Sequence, residues 1–208
     1  MPAGMMLLTI LAILVFCGLL QRVLDRMYLT DRQAIIVIIG MLAGTLLPNI
    51  TLGRVSISLG GAVIPLAVCI WMLARADAAA ERWRAVIGSL VTGSIVYALS
   101  AFMPAEAEAM LVEPMWVYGL CGGLVAWIAG RSRRTAFVCG VVGILLADTG
   151  AAVLLWLQGY HTQLVLGGAG IADATVISGV IAVLGCELLG ESIERIVRMR
   201  STGNGGRI

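Results

Sequence analysis

The chain has 208 residues, of which 60% are hydrophobic and 12% charged, and its mean hydropathy is +1.01. This composition excludes an ordinary soluble domain and predicts an integral membrane protein. The formal net charge of +2 is small, so nucleic acid is not expected as a partner. One histidine and five cysteines without a Cys-x-x-Cys pair give no sign of a metal site or a cofactor.

Seven apolar runs follow one another along the chain and predict an all-α, polytopic bundle of about seven transmembrane helices. The runs cover residues 5–20, 34–47, 59–74, 85–103, 115–130, 136–157 and 166–189. Several are shorter than the roughly 20 residues needed to cross a bilayer, so these spans must tilt, break or include flanking residues. We expect one membrane domain over residues 1–190 and a charged cytoplasmic tail over 191–208, with a disordered Gly-rich end.

The distribution of arginine predicts the orientation of the chain in the membrane. All but one of the 14 basic residues fall in segments 21–33, 75–84 and 131–135 and in the tail, which are alternate connections between the spans. The connections on the other side hold only Arg54. Because basic residues accumulate on the cytoplasmic side, we expect the N-terminus outside and the C-terminus inside. The sequence thus predicts a multi-pass protein of the cell (inner or plasma) membrane.

The third and seventh spans begin with the same motif, 107 residues apart: Leu59-Gly-Gly-Ala-Val-Ile64 and Leu166-Gly-Gly-Ala-Gly-Ile171. Glycine allows the backbone to leave helical geometry and to approach another segment closely, so we expect broken or partly extended starts to both spans. Paired glycine-interrupted spans point to a binding site between internal repeats, although chance is the alternative in a chain rich in glycine. The candidates for substrate binding or backbone positioning are Gly60, Gly61, Gly167, Gly168 and Gly170.

Two aspartates lie well inside apolar runs, Asp148 in the sixth and Asp173 near the start of the seventh. A carboxylate within a span costs about 2.5 to 3.5 kcal/mol on insertion scales, so each needs a partner or a function. Helical rise places them about 15 Å and about 9 Å from the connector between the two spans, and antiparallel packing can bring them to similar depth. Two neighbouring carboxyls share a proton, as in aspartic proteases. We therefore expect Asp148 and Asp173 to form a catalytic pair.

Three functions remain open at this point. The first is an aspartyl-type intramembrane peptidase, and the second is a transporter in which the same carboxylates bind a proton or a cation. The third is a structural membrane partner without chemistry, in which Asp173 caps the following helix and Asp148 contacts a neighbouring helix. The expected partners are accordingly the lipid bilayer and either a membrane peptide or a small ion, and the sequence leaves the oligomeric state open.

Four segments resemble the DUF1614 family of uncharacterised prokaryotic membrane proteins, and the resemblance runs over most of the chain from the second span onward. The segments are Leu59-Gly-Gly-Ala-Val-Ile-Pro65, Leu146-Ala-Asp148, Gly167-Gly-Ala-Gly-Ile-Ala-Asp173 and Ser178-Gly-Val-Ile-Ala-Val183. The family name implies no established activity.

A more distant resemblance, over the last two spans, is to intramembrane aspartyl proteases of the presenilin, signal-peptide-peptidase and prepilin-peptidase type. Those proteins carry one aspartate in one span and Gly-x-Gly-Asp at the start of the next. Here Gly168-Ala-Gly170 is present and Asp173 follows two residues later than in that motif. The resemblance implies that Asp148 and Asp173 act together as a catalytic dyad.

Overall fold

The computed structural model describes residues 18, 21, 31–76, 78–102, 114–130 and 132–187. These residues are mostly helical. The helices are α1 (Asp31–Leu46), α2 (Ile64–Ala74), α3 (Ala79–Phe102), α4 (Pro114–Gly130), α5 (Arg133–Leu157) and α6 (Ala174–Glu187). Most of the first predicted span, 5–20, and all of the predicted tail, 191–208, lie outside the described residues.

Two helices in the described part of the chain, α3 and α5, are long and apolar enough to cross a bilayer. Their 24 and 25 residues correspond to about 36 Å of helix, which exceeds the roughly 30 Å of a hydrocarbon core. The other apolar helices are shorter. Large apolar side chains on α3 and α4 remain exposed, including Ile87 at 57% and Ile128 at 70%. Such surfaces suit contact with lipid, because water would disfavour them.

Helix α5 lies at the centre of the described bundle and packs against α2, α3 and α4. Glycines allow the close approach. A β-carbon on Gly143 of α5 would lie 2.7 Å from two carbon atoms of Thr92 on α3. A β-carbon on Gly140 would lie 2.8 Å from the backbone nitrogen of Gly179 on α6. Helices α5 and α6 therefore cross with their backbones almost in contact at Gly140 and Gly179, as expected where small residues form helix interfaces.

A three-stranded sheet adds a β element to the predicted all-α fold. Strands β1 (Ile50–Leu52) and β2 (Val55–Ile57) form an antiparallel hairpin, and β3 (Leu164–Leu166) pairs with β2 in parallel. Gly53 has a φ of +63° in the hairpin turn, a conformation that glycine adopts without steric cost. Alternation of apolar and polar residues at 55–58 is typical of a strand, but pairing with a segment more than 100 residues away is not readable from either stretch alone.

Both glycine motifs lie between a strand and a helix, and the parallel pairing places them side by side. Strand β2 continues into a π-helical turn, Leu59–Val63, before α2 begins. Strand β3 continues through Gly167 and Gly170, with φ values of +68° and +63°, into a 3-10 turn, Gly170–Ala172, before α6. The backbone thus leaves α-helical geometry at both motifs.

Candidate functional site

Asp173 occupies the N-cap position of α6. Its backbone is extended (φ −68°, ψ 152°), and its carbonyl oxygen accepts the amides of Val176 and Ile177, both at 3.0 Å. Its Oδ1 accepts the amide and the hydroxyl of Thr175 at 2.9 and 2.7 Å, and its Oδ2 accepts the amide of Ala169 at 3.2 Å. These donors fix the orientation of the carboxyl group at the start of the helix. The capping role that the sequence left open is therefore present.

Asp148 lies on α5, is half-buried, and interacts electrostatically with Asp173. Among the described residues its carboxyl accepts no hydrogen bond. The hydroxyl of its neighbour Thr149 does not donate to Asp148, because it donates to the carbonyl of Leu145 at 2.7 Å. The two carboxyls therefore differ in environment. Asp173 accepts three hydrogen bonds, whereas Asp148 accepts none among the described residues and interacts electrostatically with Asp173.

The crossing of α5 and α6 explains why the two carboxyls lie within electrostatic reach of each other. Asp148 lies eight residues beyond Gly140 on α5, which is about 12 Å along the axis. Asp173 precedes Gly179 by six residues, about 9 Å along α6 and its cap. Since the helices run in opposite directions, both carboxyls lie on the same side of the crossing, at comparable distances from it. The structure thus places the two aspartates at comparable distances from the crossing, and their action as a pair stays a prediction.

Tyr118 of α4 is a third polar group near the pair, and the sequence analysis missed it. It interacts electrostatically with Asp148 and packs against a buried cluster that includes Ala174 at the start of α6. Its position follows from Gly119, where a β-carbon would lie 2.8 Å from Ile177 of α6, so α4 approaches α6 closely. A tyrosine near the end of an apolar run is also typical of an interfacial anchor, so the sequence alone could not select it.

Four of the five candidate glycines form one tightly packed backbone contact. A β-carbon on Gly61 would collide with the carbonyl oxygens of Gly167 and Gly170, and one on Gly167 with the backbone of Gly61. A β-carbon on Gly60 would collide with a backbone carbonyl of α1. The fifth candidate, Gly168, is exposed, and a β-carbon there would meet only one side chain of β3. Four of these glycines therefore allow two backbone segments to pack against each other without room for a side chain. Of the five, only Gly168 does not lie in this contact.

Thr45 of α1 holds the two motifs together, and no sequence signal pointed to it. Its hydroxyl donates to the carbonyl of Met41 at 2.7 Å and accepts the amide of Ile171 at 3.1 Å. A β-carbon on Gly170 would collide with the Thr45 side chain, so this residue fits only against glycine. Thr45 thereby fixes the 3-10 turn that leads to Asp173.

Strand β3 offers a hydrogen-bonding edge next to this turn. In the pairing with β2, the Leu164 amide donates to the Arg54 carbonyl at 2.8 Å, and the Leu166 carbonyl accepts the Ser58 amide at 3.0 Å. Alternate residues of a strand direct their backbone groups to opposite sides, so the amide and carbonyl of Val165 point away from β2. Val165 is 44% exposed, and β3 is an edge strand of the described sheet.

Among the described residues no three His, Cys, Asp or Glu side chains lie close enough together to hold a metal ion. The Thr175 hydroxyl donates to Asp173, and Tyr118 interacts electrostatically with Asp148.

A family model described as "Protein of unknown function (DUF1614)" matches residues 19–184. The match includes both aspartates, Tyr118 and all five candidate glycines. No curated protein and no solved structure matches the chain.

Proposed function

We propose, from the premise that the chain belongs to the DUF1614 family, that it is a multi-pass membrane protein that hydrolyses a membrane peptide with Asp148 and Asp173. The family description assigns no activity, so the proposal rests on the site itself. The observation that supports it is the electrostatic interaction between two carboxyls with different environments on antiparallel helices. In aspartic proteases such a pair activates water and polarises the scissile carbonyl.

The different environments favour a different role for each carboxyl. Three donors bind the two Asp173 carboxyl oxygens and fix their orientation, which suits the group that takes a proton from water. Asp148 accepts no hydrogen bond among the described residues and lies within electrostatic reach of Asp173, so we assign the proton of the pair to Asp148. Asp148 is therefore the general acid of the proposed reaction, and Asp173 is the general base.

The proposed reaction balances with water as the only co-reactant. Asp173 takes a proton from water while the water oxygen attacks the scissile carbonyl carbon, and Asp148 donates its proton to the carbonyl oxygen. In the resulting tetrahedral diol, Asp173 then protonates the leaving nitrogen as the carbon–nitrogen bond breaks. A hydroxyl of the diol returns its proton to Asp148, which restores both starting states and leaves a free carboxylic acid and an amine.

The edge of β3 supports a peptide as the substrate. An extended peptide can add a strand to a free sheet edge, where main-chain hydrogen bonds provide affinity. Val165 directs its amide and carbonyl to that edge. The strand, the 3-10 turn and the N-cap of α6 form one continuous segment from Val165 to Asp173. A peptide paired with β3 would therefore lie along a segment that ends at the carboxyl pair.

The test is cleavage of transmembrane peptides by the purified full chain in liposomes, read by mass spectrometry of the products. We expect the wild type to cut a subset of the peptides, and Asp148→Asn and Asp173→Asn each to lower the rate by about 100-fold or more, the usual contribution of a general acid or base. Glu81→Gln is the matched control, because Glu81 accepts the Ser132 hydroxyl at 3.2 Å at the start of α5, away from the pair.

Two outcomes contradict the proposal. In the first, folded wild-type protein cuts none of the peptides. In the second, an asparagine variant cuts as fast as Glu81→Gln does. A thermal unfolding midpoint close to that of the wild type shows that a variant without activity is still folded.

A second candidate function is proton- or cation-coupled transport, and the contact between the two glycine motifs favours it. Interrupted helices at corresponding places of two repeats form ion and substrate sites in many transporters. Here both interrupted starts lie side by side, next to the parallel strands, and one of them leads to Asp173. Proton flux into the same liposomes that requires both aspartates, without peptide cleavage, would select this function over hydrolysis.

A further inference from the structure

A long apolar groove lies between α3 and α4, on a part of the surface that the carboxyl pair does not line. Its volume is about 710 Å³, and its walls come from Ile87, Val91 and Ile95 of α3 and from Val125 and Ile128 of α4. Along α3 it extends from Ala80 to Ile95, about 22 Å of helix. The groove thus has the dimensions of an extended chain, not of a compact solute.

One end of the groove is cationic and aromatic. Arg84 and Trp83 line it there, and the Trp83 side chain is 67% exposed. Tryptophan and arginine are the residues that lie at the level of lipid headgroups. A guanidinium also binds the oxygens of a phosphate group well, because it presents several donors in one plane.

Arg84 is available for a ligand, whereas the arginines nearest to it in the chain are engaged within the protein. Arg82 donates to the Ala76 carbonyl at 2.8 Å, and Arg75 stacks over the Trp71 ring at 4.5 Å. Among the described residues Arg84 makes no hydrogen bond or ion pair. Its charge therefore has no protein counter-ion in the part of the chain that the structure describes.

We infer that this groove binds an anionic phospholipid, with an acyl chain along α3 and α4 and the headgroup phosphate on Arg84 beside Trp83. The apolar walls match the acyl chain, and the exposed Arg84 guanidinium, which has no partner among the described residues, matches the anionic headgroup. The arginines around the starts of α3 and α5 strengthen the attraction, because a basic membrane-proximal surface concentrates anionic lipids. The inference requires that the chain lies in a bilayer, but it is independent of peptide hydrolysis.

The test compares two phospholipids with identical acyl chains, phosphatidylglycerol and phosphatidylcholine, for retention on the full chain by native mass spectrometry. We expect the wild type to prefer phosphatidylglycerol and Arg84→Gln to weaken its binding by about tenfold, the loss of one charge-assisted contact. Arg75→Gln is the matched control at the same end of the bundle, and it keeps the preference because Arg75 lies over Trp71, outside the groove. Val91→Phe narrows the groove and lowers the binding of both lipids.

Three results overturn the inference. Equal binding of the two lipids shows apolar contact without headgroup recognition. An equal loss in Arg75→Gln and Arg84→Gln shows a general surface charge in place of a site. Displacement of the lipid by inorganic phosphate alone shows an anion site that does not need the acyl chain. Unfolding midpoints of all variants, measured in the same detergent, establish that each is folded.

Discussion

Asp173 combines two tasks that can be separated by substitution. Its carboxyl group caps α6 through Thr175 and accepts the Ala169 amide, and it also interacts electrostatically with Asp148. We expect Asp173→Ala to lower the free energy of unfolding by about 1 kcal/mol, the usual loss on removing an N-cap. Asp173→Asn keeps a capping oxygen and should lower it by only a few tenths of a kcal/mol. Reversible unfolding in detergent measures both, and equal losses would contradict the capping role.

Gly61 and Gly168 provide a matched pair of glycines from the two motifs. In Gly61→Ala the new methyl group collides with two backbone carbonyl oxygens, which cannot move independently. We expect a loss of about 1 to 3 kcal/mol in the free energy of unfolding, as for other overpacked sites. Gly168→Ala meets only the exposed Val165 side chain and no backbone atom, so its effect should stay within about 0.5 kcal/mol. A larger loss at Gly168 than at Gly61 would contradict the observed packing.

At the residue scale, the capping alternative for Asp173 follows from local pattern and agrees with the hydrogen bonds at the start of α6, whereas the catalytic pairing of Asp148 and Asp173 stays a prediction. Asp173 comes directly before an apolar helical run, and Asp148 lies at a similar depth on the adjoining span. Tyr118 and Thr45 were not predictable in this way. Each acts through a contact with a segment far away in the chain, and neither has a local signature.

At the scale of elements, Thr45 links α1 to the turn before α6. Thr45→Val preserves the shape of the side chain but removes the acceptor of the Ile171 amide. We expect a loss of about 1 to 3 kcal/mol in the free energy of unfolding, because the amide is left without its partner. Thr51→Val on the exposed strand β1 is the control and should change the free energy little. Equal free energies of unfolding for Thr45→Val and Thr51→Val would contradict a stabilising role of the hydrogen bond between Thr45 and Ile171.

The pairing of β2 with β3 could not be predicted from sequence patterns, although the strands themselves could. The alternating residues before each glycine motif indicate extended backbone, and strands are present at both places. Their parallel pairing, with Val55 opposite Leu164, depends on how α1, α2 and α6 pack around the glycines. Such an arrangement is a property of the tertiary contacts, so neither stretch could predict its partner.

At the scale of the whole molecule, the described contacts show which connections lie at the same end of the bundle, and the orientation expected from the arginines stays a prediction. Pairing of β2 with β3 places the 50–57 hairpin and the 158–166 connector at one end, and the bond from Ser132 to Glu81 places the starts of α3 and α5 together. Arg54 and Arg84 are both exposed. In a cysteine-free background, we expect an impermeant maleimide to label Arg54→Cys from outside and Arg84→Cys from the cytoplasmic side. Labelling of both from one side would contradict the topology.

The central claim is that Asp148 and Asp173 act as one catalytic unit, and a double-mutant cycle on the rate of peptide cleavage tests it most directly. Residues that act as a unit are strongly non-additive, because removing the second has little further effect once the first is lost. We therefore predict that Asp148→Asn, Asp173→Asn and the double variant have similar residual rates, each about 100-fold or more below the wild type. If the double variant instead shows the product of two independent losses, or if either single variant keeps the wild-type rate, the two carboxyls do not form a catalytic pair.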